Sequence, residues 1–388
     1  MSGRERKSMP RRFLISPDKF KGSLSALEAS LAIAEGIRRV EFDAVCDLCP
    51  IADGGEGFME AMSTALPGRW VFCRAEDALG RSIDSRYFLA DTSEGRVAIL
   101  EMAETAGLWR LAPHERDPRR ASTRGTGMQI AHAVAGPPLE GIVLGIGGSA
   151  TNDGGCGLAE ALGVRFLDET GQSIDPIPEN LLRLARIDES QRIALPEIAV
   201  ACDVDNPLLG TRGATAVYSA QKGAAPEDVP GLEAALVRVL AVSGGGDCAE
   251  YPGAGAAGGL GFGLVRFAGA RLVPGFDVLA TLLDLDRRIR AADVVITGEG
   301  SLDSQSLAGK GPVALARRAA ALGVPVHALC GRSDPELANS ALFASVRALA
   351  ERGVPKEELL GRAAPLLSDL AAMVFAVEPI PAERGGNA

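Results

Sequence analysis

The chain has 388 residues, 47% of them hydrophobic and 4% aromatic, with 47 glycines and a formal net charge of −10. This length exceeds what one hydrophobic core usually organises, so we expect two domains. The acidic balance argues against a surface that neutralises the phosphates of a nucleic acid. No apolar run approaches the length of a membrane span, so we expect neither nucleic-acid nor membrane partners.

The N-terminus and the cysteines both indicate the cellular compartment of the protein. Residues 1–11 are basic but lack the apolar core of a secretory signal, and we interpret them as a disordered tail. The 7 cysteines are an odd number scattered along a long chain, which fits reduced thiols better than a disulfide framework. We therefore expect a cytoplasmic protein.

Two strand-loop-helix patterns begin the folded part of the chain. The strand FLI leads through SPDKFKGSL into a helix that starts with a capping box of Ser25 and Glu28. The strand AVCDLCPI leads through ADGGEG into the helix FMEAMSTAL. Ligands bind at the carboxyl ends of strands in open α/β sheets, so Asp18, Lys21 and Asp53 are expected on one face of a polar cleft. The alternative is that they are solvated loop charges.

The pattern of polar and apolar residues changes between residues 67 and 86. Short polar and apolar alternation there predicts an antiparallel element, and we place a domain border in this region. Farther on, Arg124 begins a helix that extends through Val134, and such a helix start favours anions. Arg124 is therefore a candidate ligand-binding residue, with an ordinary surface arginine as the alternative.

The most informative stretch is Gly141–Gly163, which reads GIVLGIGGSATNDGGCGLAEALG. Residues 141–146 are apolar and uncharged, as in a strand that is covered on both faces. Gly147 and Gly148 can adopt φ > 0 and direct backbone N–H groups at one ligand. A helix that opens near Cys156 adds its positive N-terminal end.

The side chains of the same stretch are suited to phosphate chemistry. Hydroxyl groups donate to phosphate oxygens, and a neighbouring carboxylate can hold Mg²⁺. The alternative is a tight turn whose serine and asparagine only cap the helix. The side chains concerned are Ser149, Thr151, Asn152 and Asp153.

Two later segments are polar or rich in glycine. A strand over 198–202 ends at Asp203, which can bind a metal or a hydroxylated substrate, although a simple turn explains 205–207 equally well. The run Gly253–Gly258 matches G-x-G-x-x-G but follows residues 250–252, Glu-Tyr-Pro, instead of an apolar strand. A dinucleotide site is therefore excluded, and the lack of G-x-x-x-x-G-K-[ST] in the sequence excludes a P-loop.

The segment 293–331 has the pattern of a βαβ unit with a long polar loop. Pro312 fits the first helical turn, and Gly323 fits the C-terminal cap. Loops between a strand and a helix usually have about two to six residues, so the length and polarity of this one favour a functional role. Its candidate residues are Glu299, Asp303 and Lys310.

Four stretches together resemble the bacterial type of glycerate kinase, a family that phosphorylates glycerate at its 2-hydroxyl. They are SPDKFKGSLSA, PIADGGEG, GIGGSATNDGGCGLAEALG and ITGEGSLDSQSLAGK, and further blocks between them keep the order of the family. The sequence departs from the family pattern at Lys19, where a small hydroxyl residue is expected, and at Ser301, where Arg or Lys is common. No phosphate contact is therefore assigned to position 301.

The resemblance implies an α/β fold with a flavodoxin-like parallel-sheet domain formed by 12–70 and 288–388. A second α/β domain, 71–287, is inserted, and the active site lies in the cleft between them. It further implies ATP-dependent phosphorylation of D-glycerate to 2-phospho-D-glycerate with Mg²⁺, by a monomer or homodimer. A kinase for another small hydroxy acid and a non-catalytic sugar-acid binding protein are the alternatives.

The resemblance also implies roles for individual residues. Lys21, Asp203 and Asp303 are the catalytic candidates, and either aspartate can serve as general base. Lys21 is expected to contact substrate, and Lys19 is expected to be an exposed bystander. The remaining assignments are glycerate to Asp18, Asp53 and Arg124; ATP to Gly147, Gly148, Ser149, Thr151, Asn152, Glu299 and Lys310; and Mg²⁺ to Asp153.

Overall fold

A computed structural model of the chain describes residues 9–52, 57–303, 311–338, 340–353 and 360–377. Two of the predicted site residues, Asp53 and Lys310, lie outside the described residues, as does most of the basic tail. The chain divides into two compact units, and only their described residues are considered below. Unit 1 comprises Met1–Ile51 and Asp284–Ala388, and unit 2 comprises Ala52–Leu283.

The strands are short in unit 1 and longer at one side of unit 2. In chain order, those among the described residues are β1 (Arg12–Ile15), β2 (Val45–Leu48), β3 (Gly68–Glu76), β4 (Ser82–Thr92), β5 (Gly95–Glu101), β6 (Gly141–Gly145), β7 (Arg165–Leu167), β8 (Arg186–Asp188), β9 (Glu197–Ala201), β10 (Arg271–Val273), β11 (Val294–Thr297), β12 (Ser301–Leu302), β13 (Val326–Cys330), β14 (Arg332–Ser333) and β15 (Ser345–Ala348).

The helices mostly connect these strands. Those among the described residues are α1 (Ala26–Val40), α2 (Phe58–Ala65), α3 (Ala103–Ala106), α4 (Arg124–Val134), α5 (Cys156–Ala161), α6 (Pro178–Leu181), α7 (Ala214–Tyr218), α8 (Val229–Ser243), α9 (Gly246–Ala249), α10 (Ala256–Ala268), α11 (Gly275–Leu282), α12 (Leu285–Ala291), α13 (Gly311–Ala321), α14 (Pro335–Ala338) and α15 (Ala363–Val377), with 3₁₀ turns at Leu108–Arg110, Pro113–Glu115, Ala220–Lys222 and Leu349–Arg352.

The main sheet of unit 1 is parallel, with the order β15-β13-β11-β1-β2. Counted along the unit, its strands stand in the order 2-1-3-4-5, which is the flavodoxin-like arrangement. The predicted fold class is therefore confirmed, and strands from both ends of the chain share one sheet. Because all these strands run in the same direction, the loops that follow them leave from one side, which we call the carboxyl edge.

The core of unit 1 forms where α1 and α15 pack together on the sheet. Phe13 on β1 meets Phe375 on α15 edge to face, with ring centroids 5.3 Å apart. The predicted capping box is confirmed, since the Glu28 N–H donates to Ser25 Oγ at 3.2 Å and the Ser25 N–H donates to Glu28 Oε2 at 2.8 Å. These contacts set the direction in which the chain leaves the first loop.

The main sheet of unit 2 is mixed, with the order β10-β9-β6-β5-β4-β3. β5, β6, β9 and β10 are parallel, whereas β3, β4 and β5 form an antiparallel meander. The antiparallel element predicted between residues 67 and 86 is therefore confirmed. The strand, turn and helix predicted around the glycine-rich stretch are also confirmed as β6, the loop 146–155, here called the glycine loop, and α5.

The border between the units lies earlier than the predicted one. Helix α2 packs against β4 and β5, and its start is fixed to unit 2 because the N–H groups of Gly57 and Met59 donate to Glu101 at 2.8 and 3.2 Å. The first border therefore lies after Ile51, in contrast to 70/71, and the second lies before Asp284, close to 287/288.

The sequence led us to expect no membrane-spanning helix and no disulfide framework. Within the residues that the structure describes, no helix combines the length and apolar character needed to cross a membrane. All 7 cysteines lie in the described ranges, and none of them forms a disulfide. Burial raises the pKa of the Cys46 thiol, and it raises the pKa of the Cys49 thiol to about 11, so neither of these two neighbouring cysteines is activated.

Candidate active site

The first group of candidate residues lies at the carboxyl edge of the unit 1 sheet. β1 and β11 are neighbours there, and the strand order reverses between them. The Asp18 N–H donates to the Gly298 carbonyl at 2.8 Å, and Thr297 Oγ1 donates to the Ser16 carbonyl at 2.9 Å. These bonds join the two loops at the place where open α/β sheets bind ligands.

Glycines allow these loops to approach each other. A Cβ on Gly298 would lie 1.7 Å from the Leu329 carbonyl oxygen, so no other residue fits that position. A Cβ on Gly300 would lie 3.1 Å from the Lys21 backbone nitrogen. The segment that leads from β11 to Asp303 therefore runs directly beside the lysine of the first loop.

Asp303 lies at the end of a hydrogen-bonded relay. Ser301 Oγ donates to Asp303 Oδ2 at 2.9 Å, and Arg332 Nε donates to Ser301 Oγ at 2.8 Å. The relay exists because β12 pairs in parallel with β14, which places Ser301 opposite Arg332. The sequence analysis missed Arg332, although its position directly after β13 marks it as a residue of the carboxyl edge.

The remaining candidates of unit 1 differ in their exposure. Lys21 is exposed, and Asp18 and Glu299 are half-buried. Lys19 is half-buried and has an interaction partner, so the expectation of an exposed bystander was wrong. Its backbone N–H donates to Asp18 Oδ1 at 2.6 Å.

The second group of candidates lies in the glycine loop of unit 2. Gly148 is exposed with φ +71°, Gly147 is half-buried, and Ser149 is 7% exposed. The N–H groups of these three successive residues have no hydrogen-bond acceptor within the described part of the chain. Successive unpaired N–H groups at a surface form a concave donor site for an anion.

One side of the glycine loop is held in place by a short antiparallel contact with residues 106–108. The Leu108 N–H donates to the Gly148 carbonyl, and the Ala150 N–H donates to the Ala106 carbonyl, both at 2.9 Å. The carbonyl groups on this side are therefore used within the protein. The N–H groups on the other side are left available for a ligand.

Asp153, in contrast, is completely buried and bound by the protein itself. Its carboxylate accepts from the N–H and Oγ1 of Thr123, both at 2.8 Å, and from the N–H groups of Gly155 and Gly157, both at 3.1 Å. Burial raises the pKa of Asp153, and these four donors oppose the shift. The anion at the starts of α4 and α5 is thus Asp153 itself, not a ligand as the sequence suggested.

The neighbours of Asp153 are buried as well. Thr151 Oγ1 donates to the Ala257 carbonyl at 3.3 Å, and Asn152 Nδ2 donates to Thr215 Oγ1 at 3.2 Å. Asn152 Oδ1 is buried and has no partner among the described residues. Thr151 and Asn152 therefore face the protein interior, and Ser149 is the side chain of this loop nearest to solvent.

A buried lysine that the sequence analysis did not single out lies beneath the loop. Lys222 is 1% exposed, and its Nζ donates to the Thr151 carbonyl at 2.6 Å. Burial lowers the pKa of Lys222 to about 7, although the charge of Asp153 opposes this. Its sequence signal was that residues 221–224, which read QKGA, are one of the further blocks that keep the order of the family.

The glycine run at 253–258 also supports this loop. Ala257 and Gly258 both have left-handed φ values, 54° and 71°. A Cβ on Gly258 would lie 1.9 Å from the Thr151 carbonyl oxygen, and the Gly154 N–H donates to the Gly258 carbonyl at 3.1 Å. The motif therefore provides close backbone packing, which agrees with the exclusion of a dinucleotide site.

Two more candidates of unit 2 lie at its surface. The Arg124 side chain is 41% exposed and lies 3.9 Å from Glu76 and 3.5 Å from Glu160. Asp203 is exposed, and its Oδ1 accepts from the Gly275 N–H at 2.9 Å, at the start of α11. Arg124 thus has two acidic neighbours within its own unit, as a surface arginine would.

The groups in the glycine loop are better suited to bind phosphate than to bind a metal at Asp153. Binding of Mg²⁺ to Asp153 would have to displace hydrogen bonds in a dry interior, which is costly. The described residues contain no group of three or more His, Cys, Asp or Glu side chains suited to a metal. Mg²⁺ that arrives with a nucleotide needs only one or two carboxylates, because the phosphates supply further ligands.

Polar loops at the switch point of a flavodoxin-like sheet and a loop of unpaired N–H groups are features of α/β proteins that bind small anions. Residues 13–378 match the glycerate kinase family. The glycerate kinase of Halalkalibacterium halodurans is 43% identical over 324 residues, which cover 82% of this chain and 84% of that protein. The glycerate 2-kinase of Escherichia coli K12 is 39% identical over 326 residues, covering 82% and 85%.

A solved structure agrees with these relatives. The crystal structure assigned as glycerate kinase 2 from Salmonella typhimurium LT2 has a TM-score of 0.84 and 38% sequence identity, and it covers 95% of this chain and 98% of its own. This chain belongs to the glycerate kinase family.

Proposed function

We propose that this protein transfers a phosphoryl group from ATP to the 2-hydroxyl of D-glycerate, which gives 2-phospho-D-glycerate and ADP. The observation that carries the proposal is the row of unpaired N–H groups at Gly147, Gly148 and Ser149. Phosphoryl transfer depends mainly on positioning and on charge stabilisation, and backbone donors fixed in a loop supply both. The family membership supports the choice of glycerate.

In this proposal the glycine loop holds phosphate oxygens of ATP. The N–H groups at 147–149 and the Ser149 hydroxyl are the donors, whereas Thr151 and Asn152 support the loop from below. Mg²⁺, when bound with ATP, supplies neutralisation of the phosphate charge. Asp153 as a ligand of Mg²⁺ stays a prediction, and the ion would have to compete with the four protein donors that already bind this carboxylate. We therefore favour a structural role, in which Asp153 stabilises the glycine loop.

The carboxyl edge of unit 1 supplies the groups for glycerate and for its hydroxyl proton. Lys21 is exposed and makes no hydrogen bond with a described residue, so its charge is available to a carboxylate or a phosphoryl oxygen. Asp303 is our first choice as general base because the relay through Ser301 fixes its orientation. Asp203 is the second choice, and Asp18 is proposed to bind glycerate.

Several finer predictions accompany this proposal. In-line transfer in the cleft that the family resemblance implies, a cytoplasmic location and a monomeric or homodimeric state are expected. Roles for Glu299 with ATP and for Arg124 with glycerate stay predictions, and the acidic neighbours of Arg124 make its role the weaker of the two.

The test is a measurement of ADP release with Mg²⁺ and ATP across a panel of small hydroxy acids. D-glycerate should give the highest kcat/KM, and phosphorus NMR should assign the product to the 2-position. Faster turnover of another acid would change the substrate. Binding of glycerate without ADP release would indicate a binding protein and would refute the kinase.

A further inference from the structure

Arg332 is an exposed cation at the carboxyl edge of unit 1, and the proposed function assigns no role to it. Its Nη groups make no hydrogen bond or ion pair with a described residue, whereas its Nε donates to Ser301 Oγ at 2.8 Å. The guanidinium is therefore held at one nitrogen and presents its other donors to solvent.

The backbone around Arg332 gives the same indication. The Arg332 N–H donates to the Gly300 carbonyl at 3.1 Å, and a Cβ on Gly300 would lie 3.1 Å from the Lys21 nitrogen. Lys21 and Arg332 thus flank one short segment, and Asp303 lies three residues farther along it. Lys21 and the Nη groups of Arg332 have no partner among the described residues, and two such cations beside one aspartate form a positive site for an oxyanion.

We infer that Arg332 binds an oxyanion of a substrate, either the carboxylate of the hydroxy acid or an oxygen of the transferred phosphoryl group. The inference rests on the proposed function and deepens it. Ser301 lacks the basic side chain that the family pattern leads one to expect, and Arg332 supplies a guanidinium directly over that position. The planar fork of arginine suits both kinds of oxyanion.

The main test compares Arg332→Gln with the wild-type protein in steady-state kinetics. A hydrogen bond to a charged group has a strength that corresponds to a loss of about 10- to 100-fold. A rise in KM for D-glycerate with unchanged kcat would identify the carboxylate as the ligand. A fall in kcat or a rise in KM for ATP would identify the phosphoryl group. Constants within about threefold of wild type would overturn the inference.

A charge relocation separates a binding role from a structural one. Arg332→Ser combined with Ser301→Arg moves the guanidinium across the β12–β14 pair, and it should recover most of the activity that Arg332→Ser alone loses. Arg38→Gln removes an exposed arginine from α1 in the same unit and is the matched control, with kinetics expected to be unchanged. Failure of the relocation together with a lowered melting temperature in Arg332→Ser would indicate a structural role and refute the inference.

A binding measurement keeps the inference separate from the proposed function. If the wild-type protein releases no ADP, the proposed kinase is wrong, and calorimetric titration with D-glycerate and with pyrophosphate then tests Arg332 alone. Loss of binding of either probe in Arg332→Gln would support the oxyanion site. Equal binding by both proteins, or binding by neither, would overturn it.

Discussion

The carboxyl edge of unit 1 and the glycine loop of unit 2 look alike in sequence but differ in how they use their polar groups. At the unit 1 edge Lys21 and Arg332 are exposed, and neither the Lys21 amine nor the Arg332 Nη groups have a partner among the described residues. In contrast, Asp153 in the glycine loop and Lys222 beneath it are buried and bonded within the protein. The first region leaves its charges available to a ligand, whereas the second uses its charges to hold its own backbone.

This contrast shows that a polar residue after a buried strand has two possible uses. Buried polar groups must be paired inside the protein, so they stabilise and orient a loop. Exposed charges gain little from surface pairing and can bind ligands without a large loss of stability. Substitutions of these charged side chains should therefore affect activity at the carboxyl edge of unit 1 and stability in and beneath the glycine loop.

The largest expected effect is that of Lys21→Met on activity. Removing a fixed donor from developing transition-state charge costs about 10²–10³ in rate, so kcat/KM should fall by about that factor. The melting temperature should not change, because the side chain is exposed. Arg38→Gln, which removes an exposed charge from α1 of the same unit, is the control, and its kcat/KM should stay within about threefold. Similar activity losses in both variants would mean that Lys21 has no special role.

Asp153→Asn should show the opposite pattern. The amide cannot accept all four hydrogen bonds and points its own N–H groups at other donors, so the free energy of unfolding should fall by about 2–4 kcal/mol. Urea unfolding measures this loss, and Asp153→Glu serves as a charge-preserving comparison. A stable variant that has lost only its response to Mg²⁺ would show that Asp153 is a metal ligand after all.

The pH dependence of stability should reveal Lys222. Burial lowers its pKa from 10.5 to about 7, so between these values the unfolded chain holds a proton that the folded protein has lost. The free energy of unfolding should then rise with pH in this window by up to about 1.4 kcal/mol per pH unit, relative to Lys222→Met. Below pH 7 the two proteins should run parallel. A constant difference from pH 7 to 10 would mean that the lysine stays charged when buried.

The smallest expected effect is that of Arg124→Gln. Exposed ion pairs contribute about 0–1 kcal/mol, so both the stability and the kcat/KM should change little. Steady-state kinetics at low and at 0.5 M salt would detect any role in substrate binding. A loss of more than about tenfold in kcat/KM would restore Arg124 to the site and weaken the contrast between the two regions.

Local sequence determined the elements and their ends. The capping box of Ser25 and Glu28, the helix from Arg124 to Val134 and the turn before Cys156 all depend on residues within a few positions of one another. Apolar strands that alternate with helices also predicted the strand-helix units of unit 1, whereas the sheet that both chain ends share was implied only by the family resemblance. The location of the glycine loop followed from its residues for the same reason.

Only the tertiary structure decided which polar groups are buried and which are free. Thr151 and Lys222 meet although 71 residues separate them, and Ser301 meets Arg332 across 31 residues. Such contacts arise from the order in which strands pair and from loops that pack on each other, which no local pattern encodes. The sequence therefore predicted Asp153 as a metal ligand and did not single out Arg332. The role of a charged side chain depends on whether distant segments of the chain bury it or leave it exposed to water.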